Sequence, residues 1–509
     1  MKTASFITEI ALKTTSFEEA ILRKRFWAAK QQYNTLLGEC LRRLDRMIKD
    51  PRYREAKKMY INKETRNAAK EKFKQLKDIH QYKEYSLSSL VTQWSKKDPN
   101  TNKRNPLSIG SALSQKLAKR VFEACEKYRT YKPKTKEDWK KEKGKPRFKG
   151  RRGLSSIEDK QPTTIKLKNN KIEYLGLSMD LMYDLKDPVH QHCLESKLKY
   201  VRIVKRNFNR KLRYFAQLVC EGTPLIKGKN LSREGTLGLD IGPQTIAIVS
   251  KERDFARMEV FADELKIQKK KKAKYQRIQS RKERLCNKEC FEENFWIKKD
   301  KHWKKKLGKN KKGKRLTQKT KSLERIRTKL MDLSRREAST RKSLHGNLVN
   351  RILQEGKTIK TEKINYKWFQ SLHGKSVGLR APGMFVEILR RKAENAGGQV
   401  EDIDTKKTKL SQVCHCGEET KKLLKERWHI CKCGVVCQRD LYSAYLASFV
   451  EKNKLMIDQA KESWSGKDLV LYAVMRKLKQ SRTRSQSPGS LGLTKMEKPG
   501  SETVAYAVS

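Results

Sequence analysis

Apolar and polar side chains alternate from Ser5 to Leu12, which predicts a β-strand at the start of the chain. Ser16-Phe-Glu-Glu then reads as a helix start, with Ser16 as cap and Glu19 three residues on. From there to about Tyr131, apolar positions such as Phe26, Tyr33, Leu37, Leu41 and Leu44 recur at steps of three and four, with Lys and Arg filling much of the other face. Lys63–Lys77 and Leu113–Tyr128 repeat the arrangement, so a helical bundle is expected. The stretch from Lys132 to Arg152 breaks this texture with Pro and Gly. Beyond it, Ser155–Glu158, Thr163–Leu167, Lys171–Leu175, Val201–Arg206 and Leu212–Val219 alternate as strands of a small antiparallel sheet or barrel. If Ser5–Leu12 completes that sheet, the helices are an insertion into a β domain.

The second half opens with Thr236–Ser250, TLGLDIGPQTIAIVS, two short apolar runs broken by Gly-Pro. Asp240 sits inside the first run, where burial favours an apolar side chain. A carboxylate there must be satisfied by donors or hold a metal ion, and a metal needs further acids from elsewhere in the chain. Lys266–Ser343 is very basic, and the helical spacing of Leu323, Ile326, Leu330 and Leu333 predicts a long helical hairpin. Its tip, around Lys304–Arg315, reads as flexible, and Lys304–Lys314 as a disordered low-complexity linker. Leu344–Leu353 resumes an apolar helix. Lys357–Ile364 alternates as a strand carrying the isolated acid Glu362, Ala381–Ala396 reads as a helix, and Gln399–Asp404 as a strand. The Ser, Gly and Pro content of Ser481–Ser509 predicts disorder.

Charge adds a partner to this picture. With 121 Lys+Arg against 57 Asp+Glu the net charge is +64, and self-repulsion on that scale opposes compaction unless a polyanion neutralises it. Nucleic acid is the expected partner, bound in a way that salt weakens steeply. No run of about 18 apolar residues is present and the start lacks a signal-peptide core, so neither a membrane span nor export is expected, and the location is read as cytoplasmic. Of the 11 Cys, five crowd between Cys414 and Cys437, which points to metal rather than to a disulfide framework.

Cys414-His415-Cys416-Gly417 and Cys431-Lys432-Cys433-Gly434 form two knuckles, with 14 residues between Cys416 and Cys431. Paired thiolates, twice, make a tetrahedral Zn²⁺ site that closes a ribbon too small to bury a core, with no open position for catalysis. Each pair is Cys-x-Cys rather than the commoner Cys-x-x-Cys, so His415 or Cys437 stands as an alternative ligand to the favoured set Cys414, Cys416, Cys431 and Cys433. Gln438-Arg439-Asp440 follows and opens an amphipathic helix. Alone, Asp440 is an acid favoured by the helix dipole. Together with Asp240 and Glu362 on strands, it matches the carboxylate set that holds two Mg²⁺ about 4 Å apart for phosphodiester cleavage.

GLDIGP around Asp240, the strand acid Glu362, and the ribbon followed by Arg439-Asp440 resemble, in that order, the RuvC-like nuclease of TnpB-type transposon-encoded proteins and of the compact type V CRISPR effectors. The resemblance covers most of the chain. It implies a multidomain α+β protein: a helical recognition lobe inserted in a β-barrel wedge domain, then an RNase H-like α/β nuclease with an inserted zinc ribbon. In this chain the implied parts are residues 1–14 (first wedge strand), 15–131 (recognition lobe), 132–230 (wedge), 231–410 (nuclease, with a basic insert at 266–343), 411–437 (ribbon, binding target nucleic acid), 438–480 (last part of the nuclease) and 481–509 (tail). Asp240, Glu362 and Asp440 are then the catalytic metal ligands, and the activity implied is RNA-guided cleavage of double-stranded DNA beside a short flanking motif, one site cutting both strands in turn. Two departures stand out. The usual acid-Arg-Asp-x-Asn-Ala-Ala reads Gln-Arg-Asp-Leu-Tyr-Ser-Ala, and Glu362 lacks the usual following Asp-Leu or Asn-Leu, which leaves Glu355 and Glu387 as competitors.

Arg427 and Arg439 are candidates to steady a phosphate or single strand, against a solvated surface role for Arg427. Lys145, Arg147 and Lys149 are further nucleic-acid candidates. Trp27, Tyr33, Tyr128 and Trp139 would stack on bases or fill the helical core. Two other functions fit the same residues: a nuclease-dead RNA-guided repressor, and a transposase of the same core fold, for which no helix-turn-helix signal is present.

Overall fold

The computed structural model describes residues 4–95, 108–130, 144–150, 153–159, 162–208, 211–299, 302–314, 316–423 and 426–480. Trp139 and the 481–509 tail lie outside them. The chain divides into two compact units, Met1–Leu225 and Ile226–Ser509.

In the first unit β1 (Ser5–Lys13) alternates as read, with Phe6, Thr8, Ile10 and Leu12 buried. Five helices follow: α1 (Ser16–Lys49), α2 (Pro51–Met59), α3 (Arg66–Ile79), α4 (Glu84–Ser95) and α5 (Ser111–Arg129). The α1 cap lies one residue earlier than the sequence suggested. Thr15 Oγ1 accepts from Glu18 N at 3.2 Å while Glu18 Oε2 accepts from Thr15 N at 2.8 Å, a reciprocal box that Ser16 and Glu19 do not make. After the helices come β2 (Ser156–Glu158), β3 (Ile165–Lys168), β4 (Lys171–Tyr174), β5 (Leu177–Met182), α6 (Pro188–Glu195), β6 (Leu198–Phe208) and β7 (Lys211–Glu221).

The seven strands form one antiparallel sheet in the order β2-β6-β7-β1-β5-β4-β3, curled so that β3 comes against β6. The chain's first strand is thus the middle of the sheet, pairing β7 and β5, and the helices are inserted between it and β2. The apolar stripe of α1, including Leu22, Phe26, Tyr33, Leu37 and Leu44, shares one core with the sheet, and Phe26 meets Tyr214 at 6.0 Å between ring centroids.

The second unit is built on a five-stranded sheet. Its strands are β8 (Thr236–Ile241), β9 (Thr245–Ser250), β10 (Ala256–Val260), β13 (Thr358–Glu362) and β14 (Gln399–Ile403), in the order β10-β9-β8-β13-β14. The first three are antiparallel, while β8, β13 and β14 run parallel. Between β10 and β13 lies the basic insert: α7 (Leu265–Cys286), the hairpin β11 (Phe295–Lys299) and β12 (His302–Lys306), and α8 (Lys321–Leu353). The two helices pair as expected, through Gln268 to Thr340 at 3.1 Å, Lys272 to Glu337 at 3.0 Å and Arg327 to Glu283 at 2.6 Å.

The tip corrects the linker reading. Lys304–Lys306 belong to β12, and the next residues lie against 290–294 through Lys311 N to Cys290 O and Glu292 N to Lys309 O, both 2.9 Å. Backbone pairing, which a count of apolar residues does not register, gives this segment its structure.

Helices α9 (Tyr366–Arg380) and α10 (Pro382–Asn395) precede β14. A small ribbon with β15 (Trp428–Ile430) and β16 (Val436–Gln438) leads into α11 (Arg439–Ser448), and α12 (Ile457–Gln480) closes the described chain.

Period-two alternation sorts the two faces of β8. Leu237, Leu239 and Ile241 point into a core with Ile359, Phe385, Leu389 and the end of α8. Thr236, Gly238 and Asp240 take the opposite face, over which α11 crosses. A Cβ on Gly238 would stand 1.9 Å from the Ala444 carbonyl oxygen and 2.6 Å from Ser448 N, so only glycine lets the helix seat here. Gly238→Ala is expected to cost about 3 kcal/mol or more in denaturant unfolding, because backbone must move. Gly374→Ala, at a helical site with nothing within 4 Å, should instead stabilise by up to about 1 kcal/mol.

Candidate active site

The seating of α11 decides which side chains meet. β13 pairs β8 in parallel, with Ile359 opposite Leu237, Lys360 opposite Gly238 and Thr361 opposite Leu239. The same alternation therefore puts Glu362 beside Asp240, on the face that α11 covers. Buried Lys360 marks that face, donating to the Val450 carbonyl at 2.7 Å just past the end of α11. Asp440 is the second residue of α11, so the helix brings it to the carboxyl ends of β8 and β13.

Asp240 and Glu362 are half-buried and Asp440 is buried, and Asp240 feels the other two. Burial, then the carboxylates of Asp440 and Glu362, push Asp240 well above the ordinary carboxylate range, with Arg439 and Arg427 pulling the other way. Burial also raises Glu362. Glu355 and Glu387 are not in this cluster. Glu355 precedes β13, at the end of the strand away from Glu362, and pairs with Arg253 at 3.7 Å, while Glu387 is exposed on α10.

Both candidate arginines lean on Asp440. Arg439 Nη2 is 3.4 Å from Oδ1 and Arg427 Nη1 is 3.8 Å from Oδ2, with Asp440 itself only 8% exposed. Arg439 also donates to the Glu426 carbonyl at 2.8 Å, which ties the ribbon to the helix start. In the first unit Lys149 is held to α1, its backbone N donating to Asn34 Oδ1 at 2.7 Å and its Nζ over Tyr33 at 5.0 Å; Lys145 is half-buried and Arg147 exposed. Tyr33 and Tyr128 belong to the helical core, whereas Trp27 is exposed.

Tyr366 is a neighbour that sequence reasoning passed over. Burial and then the nearby Asp240 carboxylate raise its phenol, and among the described residues its hydroxyl is buried without a hydrogen-bond partner. Its position four residues after the strand acid was the only signal.

The ribbon supplies a second polar cluster. The sulfurs of Cys414, Cys416, Cys431 and Cys433 all lie within 4.8 Å of one another, with Cys414 to Cys433 at 3.6 Å and Cys416 to Cys431 at 3.5 Å. A tetrahedron of sulfurs at the usual Zn–S length of about 2.3 Å has edges of about 3.8 Å, so the four thiols fit a zinc ion. Two matching turns make this possible: Gly417 N bonds Cys414 O at 2.9 Å and Gly434 N bonds Cys431 O at 3.1 Å, both glycines at positive φ.

The two alternative ligands are used otherwise. His415 Nδ1 faces the Tyr442 hydroxyl at 3.0 Å, and Cys437 lies in the core, where burial pushes its thiol up to about 12. The departures from the familiar motif also have structural uses. Gln438 Oε1 caps α11 by accepting from Leu441 N at 2.8 Å, and Tyr442 accepts from His415 N at 2.9 Å and stacks on His429 at 4.1 Å, wedging the ribbon onto the helix.

Residues 383–446 match the family described as Cas12f1-like, TNB domain. The match runs from α10 through the ribbon into α11, so this chain carries a Cas12f1-like segment around its four cysteines and Asp440, in line with the resemblance to compact type V effectors. No curated protein matches the chain. Among solved structures, a cryo-EM structure of the Cas12f1-sgRNA-target DNA complex is similar with a TM-score of 0.43 and 12% identity, over 84% of this chain and 82% of that one. A cryo-EM structure of a CRISPR-Cas12f ternary complex gives 0.30 and 12%, over 86% and 83%. Among the described residues no helix is long and apolar enough to cross a membrane.

Proposed function

We propose that this protein is an RNA-guided endonuclease that cuts double-stranded DNA at a single site formed by Asp240, Glu362 and Asp440. The observation that carries this is the meeting of three acids: the parallel register of β8 and β13 sets Glu362 beside Asp240, and α11 brings Asp440 to the same end, although up to 200 residues separate them in sequence. The strand order β10-β9-β8-β13-β14, with a helix laid across β8, supports an RNase H-like nuclease core. The curled antiparallel sheet with helices inserted after its first strand supports a wedge domain and recognition lobe. The Cas12f1-like match over 383–446 supports the same family and a zinc ribbon of Cys414, Cys416, Cys431 and Cys433.

Asp240, Glu362 and Asp440 would hold two Mg²⁺, which would supply an activated water and charge stabilisation at the leaving oxygen. The chain's own contribution is placement. Two strands and one helix end hold the carboxylates together, and Arg439 and Arg427 lie against Asp440, where they would orient its carboxylate. Guide RNA reads the target by base pairing, while the protein reads a short flanking duplex motif and backbone shape.

Sequencing the RNA that accompanies the protein purified from cells carrying its native locus tests this. One discrete RNA species is expected, and its absence would remove the guided function.

A further inference from the structure

The hairpin at the outer end of α7 and α8 carries chemistry that the acid site does not use. Its register sets Trp296 opposite Lys305 and Lys298 opposite Trp303. Alternation puts Trp296, Lys298 and Trp303 on one face, with the two tryptophans diagonal across the ladder. Diagonal neighbours stand roughly 7–8 Å apart, about twice the 3.4 Å rise of a stacked strand, so the spacing suits a base held between two indoles. Both indoles face solvent, Trp296 at 61% and Trp303 at 65% exposure. On the other face Phe295 is covered by Lys306, whose Nζ lies 5.8 Å from the ring centroid.

Beside the hairpin an open cleft of about 860 Å³ is lined by Arg277, Arg281, Arg284, Lys288, Trp296 and Leu307, with Glu292 and Glu293 also on its wall. Residues 295–314 hold ten lysines against one aspartate. Such charge repels another basic surface, and tryptophans among cations match a partner offering phosphates and aromatic faces together.

We infer that the β11–β12 hairpin binds an unpaired segment of RNA, its indoles stacking on bases while the cations of α7 hold the adjoining phosphates. The choice of RNA rests on the proposed function and on position. α7 starts in the sheet core at Leu265 and runs 22 residues, so the hairpin stands at its outer end, roughly 33 Å from that start. The guide is the partner present throughout, and folded RNA offers unpaired bases in loops and bulges where duplex DNA offers none.

Full-length wild-type protein and the Trp296→Ala/Trp303→Ala double variant are compared in two assays. One is chemical probing of the bound guide RNA, and the other is titration, followed by fluorescence anisotropy of a dye on the oligonucleotide, with a short unstructured RNA and with DNA of the same sequence. The variant should expose one unpaired guide segment that the wild type protects, and should bind the RNA oligonucleotide roughly tenfold or more weakly. Trp296→Phe/Trp303→Phe should recover most of that affinity. Unchanged protection and RNA affinity would overturn the inference, as would a loss confined to the DNA oligonucleotide. The titration needs no guide, so a protein that carries no guide RNA would refute the guided function while the hairpin is still decided by its own readout.

Discussion

Asp240→Asn should abolish Mg²⁺-dependent cleavage, by about 10³-fold or more, and at the same time raise the melting temperature of the protein when Mg²⁺ is withheld. Both effects come from one side chain. Asp240 sits half-buried on β8 with Glu362 and Asp440 nearby, and burial and those carboxylates disfavour its ionised form in the folded state. A carboxyl whose folded pKa lies above its unfolded value holds extra protons when folded. Stability therefore falls as pH rises from the unfolded value near 4 toward the raised folded value, and the full penalty applies above that. Asn keeps the shape and removes the charge. The gain should be a few degrees at pH 8, should shrink toward pH 4, and should be lost when Mg²⁺ is added to the wild type alone. Thermal melts at the two pH values, with and without Mg²⁺, check this, and a variant that cuts at the wild-type rate would take Asp240 out of the site.

Cys416→Ser is expected to release the zinc and to lower cleavage by about 10–100-fold while the first unit stays folded. The ribbon has two three-residue strands and little core of its own, so metal ligation contributes most of its folding energy, about 10–16 kcal/mol in isolated zinc-binding peptides. β16 runs directly into α11, with Gln438 both ending the strand and capping the helix, so loosening the ribbon frees the start of the helix that carries Asp440. Cys437→Ala, by contrast, should retain one zinc per chain, because Cys437 packs in the core and not with the four sulfurs. Metal content by mass spectrometry separates the two variants. Zinc lost from Cys437→Ala and kept by Cys416→Ser would reverse the ligand assignment.

Much of this site could be read before any fold was known, because its signals are local. Asp240 stands out as a charge in an apolar run, the cysteine pairs announce a metal, and the ribbon then points to the acid that follows it. Glu362 was harder. Its strand was legible, but its place beside Asp240 depends on parallel register with β8, which no single strand encodes. Gly238 shows the same limit: its role becomes visible only when α11 crosses 1.9 Å from where a Cβ would stand. Tyr366 has no pattern of its own and becomes notable only through a buried hydroxyl near the acids. The β11–β12 hairpin was missed because lysine-rich strands lack the apolar alternation that marks a half-buried sheet, and pairing between backbones leaves no trace in composition.

Cleavage of a plasmid library separates guided cutting from guided binding. The plasmids carry the complement of the co-purified RNA's guide segment next to randomised flanking bases, and they are incubated with the protein, that RNA and Mg²⁺. A double-strand break at a fixed position is expected, confined to plasmids with one short flanking motif. A library that is bound in a guide-dependent way yet stays intact would contradict it and leave a nuclease-dead DNA-binding protein in its place.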